Sequence, residues 1–467
     1  MNSEWAEHSV GELFELINGY AFKSADFKNF GIPVIKIKNV KAGAFVAEKF
    51  DFVAPDFLMS RSDKQPKQGD LLITMSGNRH DGSRETWVGK VAWFNRSENY
   101  LVNQRVGILR LKDSTDFNAR FLAYQLSSDA FQDHFIAVAT SSGGQANLSP
   151  NQIKEMVLRV PGKRAQDQIA AILGEIEDKI DLNRCINQTL EAMAQAIFQS
   201  WLVDFDPVKA KIAAIEQGED PLRTAMRAIS GKTDAELDQM PREHHDQLAA
   251  TAALFPDAME ESELGEIPKG WAVGTLADLC HLNPESWSAR TLPDTVRYVD
   301  LANAKGGEIS EVQSLGGKDI PSRARRILRY GDTIVGTVRP GNRSFALIGE
   351  DGLTGSTGFA VLRPKPAHWL EFVHLVATSE ANIERLAHLA DGGAYPAVRP
   401  EIVVQEDVAI PTESIVQAFS QHVKPLFAKI LSNRKSAVSL AELRDTLLPK
   451  LLSGEISVET LMNEVAQ

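Results

Sequence analysis

The sequence predicts an α+β protein built twice: two similar mixed α/β domains separated by two long coiled-coil helices, with a pseudo-twofold internal repeat. Three observations carry this reading. Short motifs recur at a nearly constant offset along the 467 residues, strand-like runs in each half surround one helix-like stretch, and each half is followed by a heptad-patterned helix. The length suffices for two or three packed units, and 43% hydrophobic with 24% charged residues is a globular composition.

The first copy spans residues 1–160. Gly11-Glu-Leu13-Phe-Glu-Leu16, shortly after Trp5, recurs after Trp271 as Gly274-Thr-Leu276-Ala-Asp-Leu279, an offset of 263. Gly69-Asp70 recurs as Gly331-Asp332 at 262, and Gly77-Asn78-Arg79 recurs letter for letter as Gly341-Asn342-Arg343 at 264. Strands are expected over Ile32–Val40, Asp70–Met75, Val88–Phe94 and Val106–Leu111, with one helix over Ala119–Ala137. Farther on the offset shortens: Gly143-Gly144 pairs with Gly392-Gly393 at 249 and Pro161 with Pro411 at 250.

The first long helix falls within 161–206. Seven-residue spacing selects Ile169, Ile176, Asn183, Leu190 and Ile197, with Ile172, Lys179, Ile186, Met193 and Ser200 three residues after each. A helix over Ala165–Trp201 would be roughly 55 Å long, about 16 base pairs of duplex rise. Residues 207–262 form an acidic, helix-prone linking insertion with no counterpart after the second helix. The second domain, 263–411, repeats the first: strands over Val296–Ala302, Asp332–Val338, Ser344–Ile348 and Phe359–Leu362, and a helix over Leu370–Leu389. The second long helix and tail occupy 412–467, with Phe419, Leu426, Asn433, Leu440 and Leu447 in the seam and His422, Lys429, Ser436, Leu443 and Lys450 three residues on. Asn183 and Asn433 share one slot, and an Asn in an apolar seam sets register. Packed antiparallel, the two are expected to satisfy each other's amides.

Charge and cysteine content narrow the function. A net charge of -12 excludes a chain that is basic throughout, so any affinity for nucleic acid must be local. Residues 1–160 carry 19 basic against 18 acidic side chains, 161–206 carry 4 against 8, and 207–262 carry 6 against 11. The second domain carries 15 against 19 and must rely on clustered arginines. Two cysteines, Cys185 and Cys280, provide neither a disulfide framework nor zinc-ligand spacing and point to a reducing compartment. No export signal or membrane span is expected.

Catalytic constellations are missing. Gly231-Lys232-Thr233 resembles the end of a phosphate loop, but Met226 stands where the leading Gly is required. Adjacent His244 and His245 cannot share a helix face as metal ligands. Asp56, Asp63 and Lys64 read as a solvated turn rather than a nuclease centre. No nucleophile elbow, dinucleotide fingerprint or Asn/Asp-Pro-Pro-aromatic run of the amino-methyltransferases occurs. What remains is a binding device with two similar heads.

Three motifs then identify a resemblance over essentially the whole chain. They are Phe198-Gln-Ser-Trp-Leu-Val-Asp-Phe-Asp-Pro-Val208, Leu264-Gly-Glu-Ile-Pro-Lys-Gly-Trp271 and Leu448-Pro-Lys-Leu-Leu-Ser-Gly-Glu-Ile456. The chain resembles the specificity subunits of type I restriction-modification systems. The resemblance implies two target recognition domains reading a split double-stranded DNA sequence and two antiparallel helices docking two modification subunits. It also implies that S-adenosylmethionine, ATP and Mg belong to partner subunits, including up to two restriction subunits, that this chain is not itself an enzyme, and that it works in a prokaryotic cytoplasm.

Base-reading residues are chosen on physical grounds, because Arg pairs with guanine and Asn or Gln with adenine in the major groove. The twice-used loop provides Asn78, Arg79, Asn342 and Arg343; Arg84, Gln104, Arg105, Gln145, Asn147 and Arg339 are further candidates. Arg323, Arg325, Arg326 and Arg329 form the densest basic cluster and are expected at phosphate. The competing reading is an interaction scaffold whose paired domains bind proteins.

Overall fold

The structure is a computed structural model that describes residues 5–80, 84–112, 114–142, 144–390 and 396–458. The expected pairing of Gly143 with Gly392 and Gly393 lies outside them. Two compact units form, Met1–Leu182 with Ser436–Gln467, and Asn183–Lys435.

In the first unit the centre is an antiparallel sheet in the order Phe14–Asn18, Val106–Leu111, Leu71–Thr74, Val91–Trp93. Its inner strands read as unbroken apolar runs because both faces are covered. Leu71, Ile73 and Leu109 pack toward the helices Ala119–Leu126 and Asp129–Val138, while Leu72, Val106 and Ile108 enter a separate core with Ile35, Phe94 and Tyr100. A second sheet runs Phe27–Lys28, Asp51–Val53, Ile32–Ile35, Leu101–Val102, its last pair parallel. Ala6–Ser9 pairs with Val157–Val160, just before the first long helix, Lys163–Phe198. Ile169, Leu173 and, from the second long helix, Leu451 join this unit's core.

The second unit repeats the plan. Its central sheet runs Cys280–Leu282, Phe359–Pro364, Thr333–Gly336, Phe345–Leu347, and Ala272–Thr275 pairs with Asp407–Ile410. The second sheet runs Gln313–Gly316, Thr295–Val299, Leu353–Ser356, Ala324–Leu328, and its middle pair is again parallel. The insertion folds as helices Asp206–Gln217, Pro221–Ser230, Asp234–Asp238 and Arg242–Leu254 around Ala225, Met226, Leu237, Leu248 and Ala252. Asp220 and Thr233 cap helix starts there, and Gly218 and Gly231 end helices in the left-handed conformation.

Four expectations change. The helix expected over Ala119–Ala137 is two helices, divided at Ser127 and Ser128, and that over Leu370–Leu389 divides at Ser379. Ser128 and Ser379 have extended backbones (ψ 155° and 149°) just before Asp129 and Glu380, an N-terminal pattern that apolar periodicity alone conceals. Likewise, the strand expected over Ile32–Val40 gives way to a 3-10 turn at Ile37–Asn39, and that over Val296–Ala302 to one at Leu301–Asn303.

The seam of the long helices differs as well. Ile169, Ile176 and Asn183 are buried as expected, but the alternate positions are four residues on, at Leu173, Ile180, Asn187, Ala194 and Trp201. Lys179 is exposed and Met193 is 48% exposed. The second helix (Glu413–Ser453) behaves alike, burying Val423, Ile430 and Leu451 and leaving His422 and Lys429 exposed. Steps of three and four both maintain a heptad stripe, and here the four-residue step carries the apolar side chains.

In consequence, Asn433 does not meet Asn183. Within the second unit Asn433 Nδ2 donates to Asn187 Oδ1 at 2.9 Å, Arg434 donates to Glu191 at 2.6 Å, and Phe198 and Trp201 pack edge-on against Phe419. Falling first-helix numbers meet rising second-helix numbers, so the pair is antiparallel. Asn183 Nδ2 is buried without a partner, and the position matching Asn187 at offset 250 is Ala437, which has no amide.

Candidate nucleic-acid interface

In the first unit the candidate side chains gather where the strand Leu71–Thr74 ends. Met75 N–H donates to the Arg105 carbonyl at 2.8 Å, and Leu148 N–H donates to the Met75 carbonyl at 2.9 Å. The Asn103–Arg105 loop and the strand Gln145–Asn147 therefore flank Met75. Gly77 pairs with Ala146, and Asn78 exchanges backbone hydrogen bonds with Thr86 and Val88. All seven first-domain candidates thus lie around Met75–Arg79.

Their availability differs. Gln104, Arg105 and Gln145 are exposed. Asn147 accepts from Ser76 Oγ at 2.8 Å, and Asn78 Nδ2 donates to Thr86 Oγ1 at 2.9 Å. Arg79 turns inward: Nη1 donates to the Ile136 carbonyl at 3.0 Å and Nη2 to that of Ala139, capping the helix Asp129–Val138. Arg84 pairs with Asp129 beside Trp87. The sequence reading passed over His80, exposed next to Arg79, which bonds Asp133 at 2.9 Å and stands edge-on to Trp87. It also passed over Asn103, which opens the polar run Asn103-Gln104-Arg105 between two buried strands.

In the second unit the corresponding segment follows Thr333–Gly336. Thr337 N–H donates to the Gly358 carbonyl at 2.8 Å, and Val398 N–H donates to the Thr337 carbonyl at 2.9 Å, so Thr337 matches Met75 at offset 262. The two Gly-Asn-Arg triplets, offset by 264, are therefore not equivalent: the second lies two residues farther along. It belongs to a 3-10 turn, Pro340–Asn342, between Arg339 (φ 48°) and Arg343 (φ 59°), both left-handed. Such backbone is costly for residues other than Gly and persists only where the surroundings impose it. Asn342 is exposed, as is Arg339, while Arg343 pairs with Glu380.

The arginine cluster occupies the strand Ala324–Leu328 and its ends. Arg323 donates to Tyr298 Oη at 3.0 Å and pairs with Asp300; Arg329 forks onto both Glu285 oxygens at 3.1 and 3.0 Å. Arg326 Nη1 donates to Ser286 Oγ at 3.2 Å, while Arg326 Nε and Arg325 Nη1 are buried without partners. Hydrogen bonds from Arg329 and Arg363 push the Glu285 carboxyl down to about 2. The cluster is therefore partly neutralised from within. Of its ends, Arg323 lies nearer the Thr337 segment, since its carbonyl accepts from Thr357 N–H at 2.8 Å, beside Gly358. Among the described residues, no group of three His, Cys, Asp or Glu side chains is arranged to hold a metal, and no helix is long and apolar enough to cross a membrane.

A family model described as the type I restriction modification DNA specificity domain matches residues 2–192. The chain is 29% identical over 480 aligned positions to the HindI type I restriction enzyme specificity subunit of Haemophilus influenzae, covering 97% of this chain and 100% of that one. It is 25% identical to the MjaIX specificity subunit of Methanocaldococcus jannaschii over 68% of this chain and 66% of that protein. Among solved structures, the type I restriction-modification system S subunit from M. genitalium superposes with a TM-score of 0.51 at 13% identity, covering 96% of each chain; that likeness concerns the fold.

Proposed function

We propose, for a chain that belongs to the specificity-subunit family of type I restriction-modification systems, that it reads double-stranded DNA in two parts, one on each copy of its repeated fold. It is the non-catalytic, sequence-selecting member of such a system. The observation that supports a split target is the duplication itself. Two central sheets of the same strand order each end in a segment bearing exposed polar side chains: Gln104, Arg105 and Gln145 on one, Arg339 and Asn342 on the other. Arg and Asn or Gln there suit guanine and adenine edges. Arg323 and Arg325 are assigned to phosphate, where they give affinity without sequence information.

The long helices dock two modification subunits, which bring S-adenosylmethionine and methylate adenine. Restriction subunits using ATP and Mg are further members of the assembly, in a prokaryotic cytoplasm. Apolar side chains left on the helices' outer faces support docking: Leu182 is 49%, Met193 48%, Val438 54% and Leu443 47% exposed. Sequencing methylated positions in DNA from cells expressing the chain with its modification partner tests the reading. A motif of two short specified blocks around an unspecified spacer is expected; a continuous motif, or none, refutes it.

A further inference from the structure

The basic lobe of the first unit holds an apolar feature that base-edge reading does not use. Around the sheet Phe27–Lys28, Asp51–Val53, Ile32–Ile35, Leu101–Val102, the segment 20–64 carries eight basic against five acidic side chains, in a chain of net charge -12. Lys23 and Lys28 are exposed with no carboxylate partner among the described residues. Between Lys28 and Ile32 the chain turns through Asn29, Phe30 and Gly31, and Phe30 is 84% exposed.

Phe30 is not needed to close the lobe, whose core consists of Val34, Val53 and Leu101 with Phe22, Phe27 and Phe57 packed against it. The turn is nonetheless firmly held. Phe27 and Ile32 both pair with Val53, and Gly31 has φ +136° with no room for a side chain, since a Cβ would come within 2.2 Å of the Val53 carbonyl oxygen. Met59, 89% exposed, leaves the same end of that strand on the helix Asp56–Ser60. In the second copy the matching 3-10 turns, Ile37–Asn39 and Leu301–Asn303, set the local offset at 264, which puts the exposed Asp294 at the position of Phe30, so the architecture does not require an outward apolar side chain here.

We infer that Phe30 is a wedge that enters the stack of duplex DNA at the first half-site, with Lys23 and Lys28 on the flanking phosphates. A large apolar side chain on a rigid turn among unpaired cations is the chemistry by which proteins part a base step. A nucleobase must also leave the stack before an enzyme modifies it, and a parted step nearby makes that departure easier. The inference rests on the DNA-reading function proposed above and adds a deformation to it. It concerns the first half-site alone.

The test uses the assembled modification complex on a duplex carrying its methylated motif, with 2-aminopurine placed in turn at positions of the first half-site and its flank. In the unsubstituted complex one step should brighten on binding. Phe30→Ala should abolish that signal and weaken binding about tenfold, whereas Phe30→Leu should retain most of both. Unchanged brightening and affinity in Phe30→Ala overturn the wedge. So does a Phe30→Ala complex that loses subunits on size-exclusion chromatography while its DNA signals persist, which would make Phe30 a protein contact. Failure of the unsubstituted complex to bind the motif sinks the proposed function instead.

Discussion

Replacing Asn433 by Leu should cost far more than replacing Asn183, although the sequence puts both in one slot. Asn433 and Asn187 are 3% and 4% exposed and share a 2.9 Å amide hydrogen bond; Asn187 Nδ2 also reaches the Ile430 carbonyl at 3.4 Å. Asn433→Leu leaves the Asn187 oxygen buried without that donor, and Asn187→Leu leaves the Asn433 nitrogen without an acceptor. Either orphan costs about 1–3 kcal/mol, whereas removing both partners costs much less. The double variant should therefore lie about 1–2 kcal/mol above the sum of the singles. Asn183 Nδ2 has no partner to lose, so Asn183→Leu should be neutral or stabilising by up to about 1 kcal/mol. A chain of two units need not unfold in one step, so the suitable assay is native-state hydrogen exchange at amides in 187–198 and 419–433. Additivity within about 0.3 kcal/mol, or an Asn183→Leu penalty equal to that of Asn433→Leu, would refute the pairing.

Two further contrasts follow. Arg79→Ala removes two donors from the end of the helix Asp129–Val138 and should destabilise the first unit by about 1–3 kcal/mol without relaxing base preference. Asn342→Ala should leave unfolding unchanged but lose about 1–3 kcal/mol of discrimination at one position of the second half-site. Denaturation and methylation profiling of both variants check the pair, and the opposite pattern refutes it. Burial pushes the His374 imidazole down to about 3, beside Thr333 Oγ1 at 3.1 Å and with Arg434 nearby. It therefore folds neutral, and the stability it contributes is complete above about pH 6.5 and is lost as pH falls toward 3. At pH 5.5 the loss is about 1.4 kcal/mol. Glu371 and Glu191, whose carboxyls burial pushes up, act in the opposite sense, so the measurement is the difference in unfolding slope between His374→Gln and the unsubstituted chain. Equal slopes between pH 7 and 5 would refute it.

Much of the architecture was legible because its signals are local. Apolar runs such as Leu71–Ile73 announced strands, heptads announced long helices, and recurring Gly-Asp pairs announced the duplication. The N-caps at Ser128 and Ser379 were equally local, and apolar periodicity outweighed them.

What the sequence determined by itself was which residues are apolar, how they repeat, and that two copies share one plan. Only the tertiary structure decided which partner each buried polar group meets. A heptad stripe is compatible with a three- or a four-residue step, and the choice that moved Asn433 from Asn183 to Asn187 depends on the opposing helix. The identical Gly-Asn-Arg triplets fell out of register because strand pairing, not letter identity, anchors Met75 and Thr337. Arg79 turned inward because two helix-end carbonyls, 57 and 60 residues away in sequence, lie within reach of its guanidinium. Hydrogen bonds and packing act through space, so a side chain's freedom to meet DNA is set by neighbours that its own segment does not specify.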